Sequence, residues 1–174
     1  MDDLAEALSL NLDDAFPLLV EDVSTRLFWG LRRLTGDAHY AEDLTQEALI
    51  RAYRALQVYQ PERIRSLRVH PWLWTIALNL GRNHLRDRTR RPTLVEATSE
   101  PIDFDPDPPD LAAWQDRLNR LPKAQREAVV LRHVVGMDIS EIAVATGRPQ
   151  GTCKADIHRG VNKLRQIMEA ENEH

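Results

Sequence analysis

The sequence predicts an all-α chain of two small helical domains, an N-terminal helical bundle and a C-terminal helix-turn-helix domain, joined by an acidic, proline-rich linker. Three observations predict this class. Apolar residues recur at helical spacing in both halves, and the apolar–polar alternation of strands is absent. Pro92, Pro101, Pro106, Pro108 and Pro109 interrupt any helix in the middle of the chain. The same stretch carries Glu96, Glu100, Asp103, Asp105, Asp107 and Asp110 with no Lys or Arg, so its charges repel one another. Residues 92–112 therefore read as an extended, flexible linker between domains at 1–91 and 113–174.

In the first domain a helix is expected over about 13–35, ending at Gly36. The next starts after Asp37 and places Ala41, Leu44, Ala48, Ala52 and Ala55 on one side. Asp43, Gln46, Glu47 and Arg51 form a polar stripe on the other. A loop is expected from Val58 to Pro71, carrying Arg63, Arg65 and Arg68. Pro71 suits the first turn of another helix. Leu73, Ile76, Ala77 and Leu80 make its inner face, while Thr75, Asn79, Arg82, Asn83, Arg86 and Arg90 make a separate stripe. Trp72 is expected to be largely buried, and Trp74 is left open between core and stacking roles. Basic and amide side chains beside aromatics suit single-stranded or distorted nucleic acid, through phosphate contact and base stacking.

The second domain contains the clearest motif, Gly136 to Gly160. Asp138 is placed to cap a helix, with Glu141 three residues on in the capping-box arrangement. Ile139, Ile142 and Ala143 share an apolar face. Gly147 supplies a turn with positive φ, and Pro149 prevents the same helix from continuing. A second helix starts near Gln150 with Cys153, Ile157, Val161, Leu164 and Met168 expected inward. Thr152 lies in its first turn, and Lys154, Ala155, His158, Arg159 and Asn162 lie on the outer face. A helix packed on one side and cationic on the other is what a major groove accepts.

The bulk properties agree. The chain has 174 residues and a formal net charge of −4, which looks wrong for a nucleic-acid binder until the charge is located. Residues 92–116 hold seven acidic and no basic side chains, and Glu169, Glu171 and Glu173 sit in the tail. Local charge decides where phosphate binds. One cysteine, Cys153, excludes an internal disulfide framework and any multi-cysteine metal site, and reads as a small buried hydrophobe. No apolar run is long enough to span a bilayer, and the start Met1-Asp2-Asp3 is no signal peptide, so the cytoplasm is the expected compartment. There is no Gly-rich phosphate loop, zinc-protease motif or nucleophile motif. His84 and His133 lack spaced partners. No enzyme, cofactor, metal or small-molecule substrate is expected.

Several runs together resemble a known family. They are Ala41-Glu-Asp-Leu-Thr-Gln-Glu-Ala-Leu-Ile-Arg-Ala-Tyr-Arg-Ala-Leu56, Trp72-Leu-Trp-Thr-Ile-Ala-Leu-Asn-Leu-Gly-Arg-Asn-His-Leu-Arg86 with its basic continuation to Arg91, and Leu118-Asn-Arg-Leu-Pro-Lys-Ala-Gln-Arg-Glu-Ala-Val-Val-Leu-Arg132. Ile139-Ser-Glu-Ile-Ala143 and the Gly151-to-Arg165 segment follow. In order and spacing the chain resembles an extracytoplasmic-function (ECF) sigma factor, the minimal two-domain group of the sigma-70 family, over about residues 13–168.

The resemblance implies that the first domain binds the clamp helices of core RNA polymerase through Asp43, Gln46 and Glu47. It implies that Asn79 and Asn83 face a melted minus-ten element and that the Val58–His70 loop captures a flipped base. Arg63, Arg65, Arg68, Arg82 and Arg86 are the associated DNA-contact candidates. For the second domain it implies duplex contact at the minus-thirty-five element through Arg132, Thr152, Lys154, Ala155, His158 and Arg159, and docking on the polymerase flap. The linker would enter the RNA exit channel, and an anti-sigma factor is the expected regulator. Two positions depart from the pattern: Val69 stands where an aromatic is frequent, and Asp156 where a basic residue is common. Asp156 either pairs with a neighbour or reads a cytosine amino group.

Other readings stand beside this one. Asp43, Gln46 and Glu47 by themselves read as a solvated helix face. A stand-alone helix-turn-helix regulator accounts for residues 117–168 but leaves the first half unused. A helical adaptor without a DNA role leaves the Lys154, His158 and Arg159 face unexplained.

Overall fold

A computed structural model describes residues 3–88 and 109–173, without the side chains of 83–88. Nine α-helices and no strand are found among these residues. The order is α1 (Asp3–Leu10), α2 (Leu12–Thr35), α3 (Ala38–Val58), α4 (Pro61–Arg65), α5 (Val69–Arg88), α6 (Leu111–Asn119), α7 (Lys123–Val130), α8 (Ile139–Thr146) and α9 (Gln150–Asn172). A π-helical turn over Leu131–Val135 continues α7.

Local chemistry sets most boundaries. Asn11 caps α2 by accepting the Asp14 amide at 3.2 Å, and Asp37 caps α3 by accepting the Tyr40 amide at 3.0 Å. Gly36, at φ 76°, takes the left-handed conformation that closes α2. The Asp138–Glu141 capping box is complete, with the Glu141 amide 2.8 Å from Asp138 Oδ1 and the Asp138 amide 2.8 Å from Glu141 Oε2. Gly147 turns at φ 68°, and α9 begins at Gln150 behind Pro149.

Three boundaries differ from the sequence expectation. Residues 58–71 are not one loop: Pro61 opens the short helix α4, and α5 starts at Val69, two residues ahead of Pro71. Within the first turn of a helix a proline lacks only an amide hydrogen that would go unbonded anyway, so Pro71 is tolerated there. The interval expected to be linker ends earlier, because α6 begins at Leu111 and buries that side chain. Helix α1 was not anticipated.

Helices α2, α3 and α5 pack together, with α1 lying across α2 and α4. In the C-terminal half α7 and α8 pack on α9, and α6 touches its far end. The halves are joined: α8 lies along α5, and the π turn lies on α2. One apolar core runs through the junction, with Leu27, Leu31, Leu73 and Trp74 in the same cluster as Leu131, Val135, Met137 and Ile142. Leu118, Leu121, Val129, Val130 and Leu164 form a second, smaller cluster.

Gly30 permits the close approach at this junction. A Cβ there would lie 2.5 Å from Trp74 Cη2 and 2.8 Å from Val135 Cγ2, so only a glycine lets both side chains meet α2. Polar bonds also cross: Arg68 Nη1 donates to Ser140 Oγ at 3.0 Å, Thr75 Oγ1 to the Val144 carbonyl at 3.3 Å, and Gln115 Nε2 to the Arg33 carbonyl at 2.9 Å. Burying one large apolar side chain contributes about 1.5–3 kcal/mol, whereas an exposed ion pair adds about 0–1 kcal/mol. Apolar burial therefore dominates this contact. A pocket of about 150 Å³, open to solvent, lies at its edge, lined by Val23, Arg26, His70, Trp74, Met137 and Glu141 among others.

Trp72 departs from its expected burial, and the role left open for Trp74 is that of a core residue. Trp74 is buried under Gly30, whereas Trp72 is only half-buried and stands beside Tyr59 with ring centroids 6.1 Å apart. The chain wraps α5 on several sides, so the helical period of α5 alone does not say which indole meets a neighbour.

Candidate nucleic-acid interface

Helix α9 presents the more open of two cationic surfaces. Thr152, Lys154, His158 and Arg159 are exposed, and Ala155 is half-buried among them. The buried stripe is Cys153, Asp156, Gly160, Leu164 and Ile167, rotated slightly from the expected one; Ile157, Val161 and Met168 are half-buried. Two contacts explain the rotation. Gly160 lets α7 come close, since a Cβ there would sit 2.6 Å from Val129 Cγ2. Asp156 can turn inward because Arg148 Nη1 donates to its Oδ2 at 2.7 Å.

Arg148, in the turn of the motif, is the residue that sequence reading missed. Its guanidinium also reaches Glu127 Oε2 at 3.3 Å and the Ala124 carbonyl, so it ties α7 to the start of α9. Arg159 Nη1 lies 3.6 Å from Asp156 Oδ1 but remains 64% exposed, leaving most of its donors to solvent. Asp156 is thus an ion-pair partner facing the protein rather than a group presented to DNA. Asp138, which starts α8, is held below the usual carboxylate range by the Glu141 amide and the Ser140 hydroxyl, with Arg68 adding a smaller effect. Arg132 is exposed at the π turn, where its Nη1 donates to the Met137 carbonyl at 2.9 Å. That bond spans the entry to α8 and holds the arginine near the motif.

The second surface surrounds α4 and α5. Arg63 stacks over the Tyr59 ring with Cζ 3.6 Å from its centroid. Arg65 pairs with Glu6 at 3.4 Å and with Glu62 at 3.8 Å. Arg68 reaches across to Ser140. Asn79 is exposed. Arg82 pairs with the buried Glu127 of the other half at 3.4 Å while its own side chain stays 38% exposed. The side chains of Asn83 and Arg86, and all of Arg90, lie outside the described residues. The structure therefore gathers Tyr59, Arg63 and Trp72 into a cation–aromatic group, and it covers Thr75 with α8.

On α3, Asp43 is exposed while Gln46 and Glu47 are half-buried, and Glu47 accepts from Arg51 at 2.7 Å. A third feature is an open apolar groove of about 720 Å³ on the C-terminal half, lined by Trp114, Leu118, Val130, Val134, Val161 and Met168 among others. No three potential metal ligands come together among the described residues. No described helix is long and apolar enough to cross a membrane.

Comparison with known proteins decides the family. The sigma-70 region 2 model matches residues 19–91, and the sigma-70 region 4 model matches residues 111–164. The RNA polymerase sigma-H factor of Pseudomonas aeruginosa is 32% identical over 95% of this chain and 92% of its own length. The chain belongs to the sigma-70 family. Within it, ECF sigma factor SigE of Mycolicibacterium smegmatis is 36% identical over 86% of this chain, which spans 60% of that relative's length. ECF sigma factor SigW of Bacillus subtilis is 28% identical over 89% of each chain. This is therefore an ECF-type sigma factor, a non-enzymatic transcription initiation factor. Its fold is shared with CnrH, solved with the cytosolic domain of CnrY, at a TM-score of 0.74 and 24% identity over 96% of both chains. It is shared also with the sigma factor RpoE of Bartonella quintana, solved with the anti-sigma factor NepR, at a TM-score of 0.71 and 24% identity over 88% of this chain and 96% of that one.

Proposed function

We propose that this sigma factor joins core RNA polymerase through the α3 stripe of Asp43, Gln46 and Glu47, and reads promoters with two separate surfaces. The α9 face of Thr152, Lys154, Ala155, His158 and Arg159, with Arg132 nearby, contacts the minus-thirty-five duplex. The α4–α5 surface, with Arg63, Arg65, Arg68, Asn79, Arg82, Asn83 and Arg86, contacts the opened minus-ten element. The single observation carrying this reading is α9 itself: a helix buried along one side, cationic along the other, within a matched region 4. The apolar groove at Trp114 and Met168 suits docking on the polymerase flap, and the acidic residues 92–110 ahead of α6 suit the RNA exit channel. The protein would act in the cytoplasm, with an anti-sigma factor as its regulator, as for the RpoE neighbour.

The reading requires the halves to separate. The two promoter elements lie about 25 base pairs apart by name, roughly 85 Å of duplex. A compact chain of this length has a radius of gyration of about 16 Å and measures roughly 40 Å across. It cannot reach both elements while α8 lies on α5. The 20 residues from 89 to 108 could span at most about 70 Å, enough to permit separation.

The test is reconstitution. Added to core polymerase lacking other sigma factors, the chain should give promoter-dependent transcripts. Asp43→Arg with Glu47→Arg should abolish core binding while leaving the helical fold, because both changes lie on the outer side of α3. Unchanged core affinity would remove the α3 assignment. Binding to DNA as a dimer without polymerase would favour a stand-alone regulator.

A further inference from the structure

Helix α1 has no assigned role: the family match begins only at residue 19. Its contacts are selective. It packs on α2 and on α4, the short helix inside the loop assigned above to the minus-ten strand. That helix has five residues, and Gln60 at its start provides no side-chain cap. So short a helix cannot hold itself together, because forming one turn costs more backbone freedom than its few hydrogen bonds return. Something else must hold it.

The structure shows what does. Ile64 is the buried residue of α4. Ala5 and Leu8 are the buried residues of α1, at 0% and 1% exposure. Glu6 Oε2 adds an ion pair to Arg65 Nε at 3.4 Å. Helix α1 is itself anchored. The Asn11 amide bonds to the Ala7 carbonyl at 3.0 Å while the Asn11 side chain caps α2, so α1 is tied to the long helix behind it. Tyr53 of α3 completes the support by donating to Asp13 at 2.6 Å and meeting Phe16 edge-on. The same segment carries Arg63, which stacks over Tyr59 next to Trp72.

We propose that α1 is a brace that holds α4 in place for the minus-ten strand, with Ala5, Leu8 and Glu6 as positioning residues. It touches no DNA. It fixes the backbone from which Arg63 is presented over Tyr59, so that the group is formed before a base arrives. This rests on the reading of the α4 loop as the minus-ten surface.

The experiment uses holoenzyme assembled with full-length Leu8→Ala and with a chain lacking residues 1–10. Core affinity, upstream duplex binding, permanganate reactivity of unpaired thymines and hydrogen exchange of the α4 amides are measured together. The brace predicts core and upstream binding within about twofold of the parent and opening reduced about tenfold, with exchange accelerated in α4 but not in α2 or α3. Leu8→Met, which refills the same volume, should restore opening. Normal opening in Leu8→Ala and in the truncated chain overturns the proposal, and so does a loss of core affinity in parallel with opening, which marks general unfolding. Arg63→Ala in the intact chain separates the premises. If it impairs opening while the α1 variants do not, the brace fails and the loop assignment stands. If Arg63→Ala has no effect, the loop assignment itself fails.

Discussion

Replacing Arg148 by Ala should destabilise the C-terminal half by about 2–3 kcal/mol, a figure that follows from its partners. Glu127 and Asp156 are each 9% exposed at the side chain, and Arg148 is 20% exposed between them. Deleting one partner of a fully buried ion pair costs about 3–5 kcal/mol, because a charge is left uncompensated. Here the cost is smaller. Glu127 keeps Arg82 at 3.4 Å, and Asp156 keeps Arg159 at 3.6 Å, both longer contacts from more exposed groups. The Ala124 carbonyl also loses its donor, at about 1 kcal/mol. The Nε of Arg148 is buried without a partner, so removing it relieves a small penalty. In a chain of this size the loss corresponds to roughly 4–12 °C in Tm. Urea and thermal melts of the full chain measure it. The Arg148→Ala and Asp156→Asn cycle should show a coupling of about 1–2 kcal/mol. A loss under about 0.5 kcal/mol, or strict additivity in the cycle, would refute the reasoning and show that the carboxylates tolerate burial without this guanidinium.

Other outcomes follow from the same geometry. Arg159→Ala should cost about 1–3 kcal/mol of upstream binding and relax preference at one position if the side chain reads a base. An even loss across sequences would mean phosphate contact, and no change would show that this is not the reading face. Asn79→Ala should reduce permanganate reactivity at the minus-ten element more than it reduces upstream duplex binding, because extruding a base costs a few kcal/mol that a preformed surface must offset. Normal opening with weakened duplex binding would contradict that role. Asp138 has a folded pKa below its unfolded one, so its stabilising effect is complete above the usual carboxylate range and is lost as pH falls through the folded value. Parent and Asp138→Asn should keep a constant difference in Tm between pH 6 and 8, with the parent losing ground only under acid conditions. A difference that changes near neutrality would refute the assignment.

What the sequence determined by itself was the set of features whose causes lie within a few residues. The capping box at Asp138 and Glu141, the positive φ of Gly147 and the start of α9 behind Pro149 are each decided by neighbours three or four positions away. The helical class followed from apolar spacing, and the order of the motifs pointed to the family. The tertiary structure decided everything that depends on a distant partner. Helix α4 is too short to be recognised by its own periodicity and exists against α1. Which indole is buried was settled by Gly30, more than forty residues before Trp74. The inward stripe of α9 follows Arg148 and Val129 rather than hydrophobicity alone, so an aspartate and a glycine occupy positions that a pattern assigns to apolar side chains. The packing of α8 on α5 was illegible for the same reason. A helix carries one apolar pattern, and that pattern does not record whether its own half of the chain or the other one covers each face.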